Sequence, residues 1–155
     1  VKTEFDATVD TTGWEKKSFF VRLILAQALR EMVDYGMDYV SEKATENLAG
    51  LRHKAGTPSP TPGELPVTQI TGHLHGAVRI LRINSVLGKV FIDSGKAPYA
   101  AKVHEGTVDE RGNYIMQPRR FMREAAMDSR EVLYNVFYIA IKKRVQEVGR
   151  ITYGI

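Results

Sequence analysis

The sequence predicts an α+β fold, a small antiparallel sheet packed with a long N-terminal helix and a long C-terminal helix. Three observations predict it. Apolar residues recur at three- and four-residue spacing from Trp14 to about Leu51, and again from about Arg120 to Val148, as amphipathic helices require. Between them, Val78 to Ile83 and Lys89 to Asp93 read as two short strands, with side chains falling alternately on two faces. The segment His53 to Pro66 holds four of the six prolines, so it can be neither regular helix nor central strand. A chain of 155 residues is most simply one domain, residues 1–155, and is long enough to bury a core.

Each element has its own signal. In Val1 to Gly13, the residues Val1, Thr3, Phe5, Ala7 and Val9 share one side of a strand-period pattern. This stretch reads as a short strand, as an arm lying on a neighbouring subunit, or as a frayed terminus. The first helix places Val21, Ile24, Leu25, Ala28, Met32, Tyr35, Gly36, Tyr39 and Val40 on one face. Thr12 or Ser18 serves to cap its start, and Gly50 to stop it. Gly36 falls inside the pattern and marks a kink or the close approach of another element. Around Phe19, Phe20, Leu23 and Leu29 the apolar surface is wider than one stripe, which fits deep burial or a second face packed on another subunit.

The Pro-rich loop at 53–66 reads as a mobile surface loop or as a tongue reaching a neighbour. Val67 to Gly76 predicts one or two helical turns beginning at Thr68 or Thr71. Val78 to Ile83 is the first strand, Asn84-Ser85 the turn, and Lys89 to Asp93 the return strand of an antiparallel pair. Apolar residues on both of its faces predict a sheet covered on both sides, by helices or by a partner. Ala97-Pro98 is a break, since a residue before proline leaves the α region. Tyr99, Ala100 and Val103 suit one short helical turn or an irregular strand, and Glu105-Gly106-Thr107 reads as a sharp corner. The polar stretch at 108–117 is an exposed loop or hairpin tip, ended by Pro118. On the last helix Phe121, Ala125, Val132, Val136, Ala140 and Val145 form the apolar face, with Leu133, Phe137 and Ile141 alongside. Gly149 is read as its stop, and Ile151-Thr152-Tyr153 as a short closing strand or tail.

Composition narrows the classes of function. There are no cysteines, which excludes disulfides, thiolate metal sites and a cysteine nucleophile, and fits assembly in a reducing cytoplasm. No apolar run approaches a membrane span, and the N-terminal residues lack the apolar core of a signal peptide. A net charge of +4 permits contact with a polyanion without arguing for one. His73-x-His75 with His104-Glu105 is the only metal-like set, and zinc sites need three or four converging ligands. Asp109-Glu110 with Asp93 lie in polar turns, and Ser59 between two prolines has no base at a telling spacing. No enzyme class, metal or cofactor is supported. The cations Lys142, Lys143 and Arg144 suit a solvated helix C-terminus.

A resemblance makes the expectation specific. Tyr99-Ala100-Ala101-Lys102-Val103-His104-Glu105-Gly106-Thr107, a polar excursion, then Gln117-Pro118-Arg119-Arg120-Phe121-Met122-Arg123-Glu124-Ala125 and an amphipathic helix follow in order. Upstream stands Thr71-Gly72-His73-Leu74-His75-Gly76-Ala77-Val78-Arg79. This order resembles the neck and tail-completion proteins of long-tailed bacteriophages, from about Pro66 to the C-terminus. The sequence departs from that pattern at Arg120, where the family has proline, at Gln117-Pro118, where the earlier proline falls one place late, and at Ala77, where serine is usual.

The resemblance implies a virion structural protein assembled in the host cytoplasm. It would form a ring, expected to be a homohexamer matching a sixfold tail tube, at the head–tail junction. Its partners would be further copies of itself, tail-tube or terminator proteins and head-connector proteins, with genomic DNA passing through the channel unread. Tyr99, Val103, Glu105, Gly106, Thr107, Pro118, Arg119, Arg120, Phe121 and Arg123 are then the junction or subunit-interface candidates, with Glu105 expected to meet Arg119 or Arg123. Alternatives are a tail terminator ring and, from other classes, a nucleic-acid-binding domain or a small metal-dependent hydrolase. Steep salt dependence of DNA binding would mark the nucleic-acid reading.

Overall fold

The computed structural model describes residues 12–67, 69 and 71–153, with side chains over 19–67, 69 and 71–150. The reading of Val1 to Gly13 therefore lies outside the described residues up to position 11. The order of elements is α1 (Thr12–Asn47), a short 3-10 turn (His75–Ala77), β1 (Val78–Asn84), β2 (Leu87–Ile92), α2 (Ala100–Glu105), β3 (Thr107–Val108), β4 (Tyr114–Met116) and α3 (Phe121–Tyr153). The fold is α+β, with two long helices and two small antiparallel hairpins, β1–β2 and β3–β4.

The largest interface between elements joins α1 and α3, which run antiparallel. Asn47 Nδ2 donates to the Phe121 carbonyl at 3.0 Å, and far along the pair Arg144 meets Glu31 at 3.3 Å. The buried residues Ala28, Met32 and Ala44 of α1, with Leu48 just past its end, fall on a row spaced by four, as ridge packing of helices demands. Gly36 lies on the same row, and a β-carbon there would stand 3.3 Å from the Phe137 ring. The glycine thus marks the close approach of α3. On α3 the matching row begins Phe121, Ala125, Ser129, all buried. Ser129 hides its polarity by donating to the Ala125 carbonyl at 2.6 Å. By contrast Val132, Ile141 and Val145, expected on the buried face of α3, are exposed.

Both long helices end differently from expectation. The backbone around Gly50 is taken up by Val67: Val67 N–H donates to Asn47 O at 2.7 Å and Gly50 N–H to Val67 O at 3.1 Å. Gln69 Nε2 takes the Leu48 carbonyl at 2.7 Å. Orphan carbonyls of the last turn are satisfied in this way, by a distant segment. A β-carbon on Gly50 would stand 2.5 Å from Val67 O, so it is backbone proximity that keeps glycine there. At the other end, Gly149 does not stop α3, which continues to Tyr153 and replaces the expected closing strand. One glycine costs a helix only about 1 kcal/mol relative to alanine, too little to end thirty residues of packed helix.

The β1–β2 hairpin pairs Val78 with Ile92, Ile80 with Val90 and Arg82 with Gly88, and a register shift follows between Arg82 and Asn84. This face lies on α1: Arg82 donates to the Arg30 carbonyl at 3.1 Å and pairs with Asp34, while Gly88 lies against Met37. On the opposite face Leu81 and Leu87 are exposed, while Arg79 and Phe91 are half-buried. The expectation of a cover on both sides therefore holds for one side among the described residues, since the main packing partner of α3 is α1. Between Val67 and the strands, the predicted helical turns shrink to the 3-10 turn at His75. The main core cluster gathers at the α1–α3 end and holds Leu48, Val67, Leu74, Ala77, Ala97, Ala100 and Phe121.

Candidate functional site

The junction forms where α2 leaves the core. Ala100 and Val103 face inward, and the helix stops at Gly106, whose φ of 76° with ψ of −178° suits only glycine. A β-carbon there would lie 2.6 Å from Met116 O and 2.9 Å from Pro118 N. The chain then makes the β3–β4 hairpin, pairing Thr107 with Met116 and Val108 with Tyr114, so the predicted 108–117 excursion is a hairpin. Its tip is held by Asp109, whose Oδ1 accepts from the Arg111 and Asn113 amides at 2.9 Å each. The hydrogen bond from the Asn113 backbone leads the causes that hold the Asp109 carboxyl below its usual pKa.

The returning strand locks onto α2. Arg119 N–H donates to Val103 O at 3.0 Å, and Phe121, 1% exposed, enters the core with the His104 ring edge-on at 5.1 Å. Val103 packs against the same cluster, while Tyr99 stays exposed at its margin. Glu105 does not meet Arg119 or Arg123. Its carboxylate lies 2.6 Å from His104 Nδ1, because α2 turns it outward while Arg119 points the other way. Pro118 is half-buried at the turn, and Arg120 and Arg123 are exposed at the foot of α3.

Arg119 itself is 9% exposed, and its guanidinium reaches the Pro-rich loop, donating to Ser59 Oγ and, at 2.9 Å, to Thr61 O. Removal from water lowers its pKa from the ordinary arginine value, yet it stays a cation. The 53–66 segment is thus pinned at its middle by Arg119 and at its base by the bonds of His53 and Gly50 to Gln69 and Val67. The partnership of Ser59 and Thr61 with Arg119 was not readable in the sequence, where the Thr57-Pro58-Ser59-Pro60-Thr61-Pro62 run was the only hint of an ordered segment.

Around this lock lies an open cleft of about 840 Å³, with Pro58 and Pro62 on one side, Leu74, Tyr99 and Val103 on another, and Ile115 and Met116 of β4 on a third. Lys102 and Arg119 are the charged side chains that line it, and among the described residues no Asp or Glu does. Among the described residues no group of three or more His, Asp or Glu side chains is placed to hold a metal, and no helix is long and apolar enough to cross a membrane. The arrangement is an open cleft with apolar walls beside the cations Lys102 and Arg119. No family model, curated protein or solved structure matches this chain.

Proposed function

We propose that this chain is a phage virion structural protein, a ring component of the head–tail junction. It would cap the head-proximal end of the tail and meet the head connector, while genomic DNA passes through the channel unread. The ring is read as a homohexamer, and neither turnover nor a cofactor is assigned to it. The order of the Tyr99–Thr107 and Gln117–Ala125 segments supports the reading, since these are the segments that resemble neck and tail-completion proteins.

The observation that carries it is the amount of apolar surface left bare on three elements. Phe19, 63% exposed, with Phe20 and Leu23 lines α1; Ile139, 65% exposed, with Tyr134 and Tyr138 lines α3; Leu81 and Leu87 line the hairpin. Contiguous bare apolar surface marks an interaction site in a folded chain. Different patches on different elements suit head-to-tail contacts, which avoid open fibres by closing into a ring.

The test is mass spectrometry of purified particles, with cryo-EM to locate the chain. The expected result is a ring at the neck, and absence from mature particles sinks the reading. Phe20→Glu and Ile139→Glu should change unfolding free energy by no more than about 0.5 kcal/mol, as surface changes do, and should reduce incorporation into particles.

A further inference from the structure

The cleft beside Arg119 is lined by apolar side chains with Lys102 and Arg119, and among the described residues by no carboxylate. One segment of this chain has the opposite character. Residues 1–11 read Val-Lys-Thr-Glu-Phe-Asp-Ala-Thr-Val-Asp-Thr, with three acids, one lysine, and the apolar Phe5, Ala7 and Val9 on one side of a two-residue period. Glu4, Asp6 and Asp10 fall on the other side. An extended segment of this kind presents an apolar edge to the walls and an acidic edge to the exposed Lys102.

Its own cleft is out of reach. The cleft begins at Leu48, past the C-terminal end of α1, whereas residue 11 joins the start of that helix at Thr12. At about 1.5 Å per residue, Thr12 to Asn47 spans about 52 Å. Eleven extended residues reach at most about 40 Å. Nor does α1 fold back, because α3 accompanies it from the Asn47–Phe121 bond past the Arg144–Glu31 pair.

We infer that residues 1–11 of one copy occupy the Arg119 cleft of a neighbouring copy, so that each subunit completes the next one's site. The inference rests on the ring reading for a closed arrangement of copies, and on cleft chemistry and helix length for the contact. An exchanged arm links neighbours head to tail, the contact type that closes into rings.

The absence of cysteine allows a direct test with full-length chains. A tagged Phe5→Cys chain is co-expressed with an untagged Ile115→Cys chain and treated with a short bis-maleimide. Ile115 lines the cleft at 75% exposure, so the change spares the core. Phe5→Cys with Leu81→Cys, on the bare hairpin face, is the control. The expected product is a tagged–untagged dimer in clear excess over the control. Lys102→Glu in the cleft chain should lower its yield about two- to fivefold, the effect of one exposed ion pair.

A Phe5–Ile115 yield no higher than the control's, or one unmoved by Lys102→Glu, overturns the inference. So does a Phe5→Cys/Ile115→Cys double variant that links within one chain. Rings seen in particles without this cross-link sink the arm exchange alone. A cross-link in a chain absent from particles sinks the ring reading alone.

Discussion

The Arg119 guanidinium donates to the Thr61 carbonyl at 2.9 Å across 58 positions of sequence, and to Ser59 Oγ beside it. This one side chain fastens the Pro-rich segment to the entry of the last helix. The backbone N–H of the same residue is held by Val103 of α2, so three segments meet at one position. The proline segment and the turn into α3 are thus hydrogen-bonded to one another through a single residue.

Arg119→Met should release the loop while keeping most of the buried volume. The Thr61 carbonyl and Ser59 hydroxyl would lose a charged donor, a loss of about 1–3 kcal/mol when such groups stay desolvated. Urea denaturation gives the magnitude, and hydrogen exchange at Thr57 and Thr61 should speed up. Unchanged exchange there would mean that the lock does not order the loop.

Gly106→Ala should be costly and Gly76→Ala should not. At Gly106 both the backbone angles and the 2.6 Å approach of Met116 O oppose a β-carbon, and a residue forced into such a region costs about 1–3 kcal/mol. At Gly76 nothing lies within 4 Å of the β-carbon position. Melting temperatures of the two variants side by side decide the matter; equal values would show that the corner relaxes freely.

Phe121→Ala should remove about 3–5 kcal/mol of unfolding free energy, the usual effect of emptying a buried phenylalanine site. Phe121→Leu should lose less, because more of the volume remains. Chemical denaturation of both variants checks the order. Equal, small losses would place the ring outside the core.

The tip of the β3–β4 hairpin should loosen in acid. The Asp109 carboxyl is depressed in the folded chain, chiefly by the hydrogen bond from the Asn113 backbone. Its contribution is therefore present above the unfolded value of 3.8 and is lost as pH falls through the lower, folded value. An NMR titration of the Asn113 amide should show its shift moving with a midpoint below 3.8. Asp109→Asn should abolish that movement, and a midpoint above 3.8 would contradict the tip's geometry.

By itself the sequence determined the elements whose signal is local. The three-to-four spacing of apolar residues marked both long helices, since that period follows from backbone geometry alone, and two short apolar runs around the Asn84-Ser85 turn marked the β1–β2 hairpin. The Glu105-Gly106-Thr107 corner was legible because a positive φ favours glycine. The buried place of Phe121 was legible from its position as the first apolar residue of α3.

Tertiary structure decided what depends on distant partners. Arg119 looked like a partner for Glu105 and instead faces Ser59 and Thr61, because α2 turns Glu105 outward to His104. Gly149 looked like a stop, but propensity differences of about 1 kcal/mol are overridden along a helix packed for most of its length. Val132, Ile141 and Val145 carry the apolar pattern yet lie exposed, since periodicity fixes which residues share a face and only packing fixes which face is covered. The cleft is the clearest case. Its walls come from four separate stretches between Leu48 and Arg119, and their convergence follows from long-range contacts that no local period encodes.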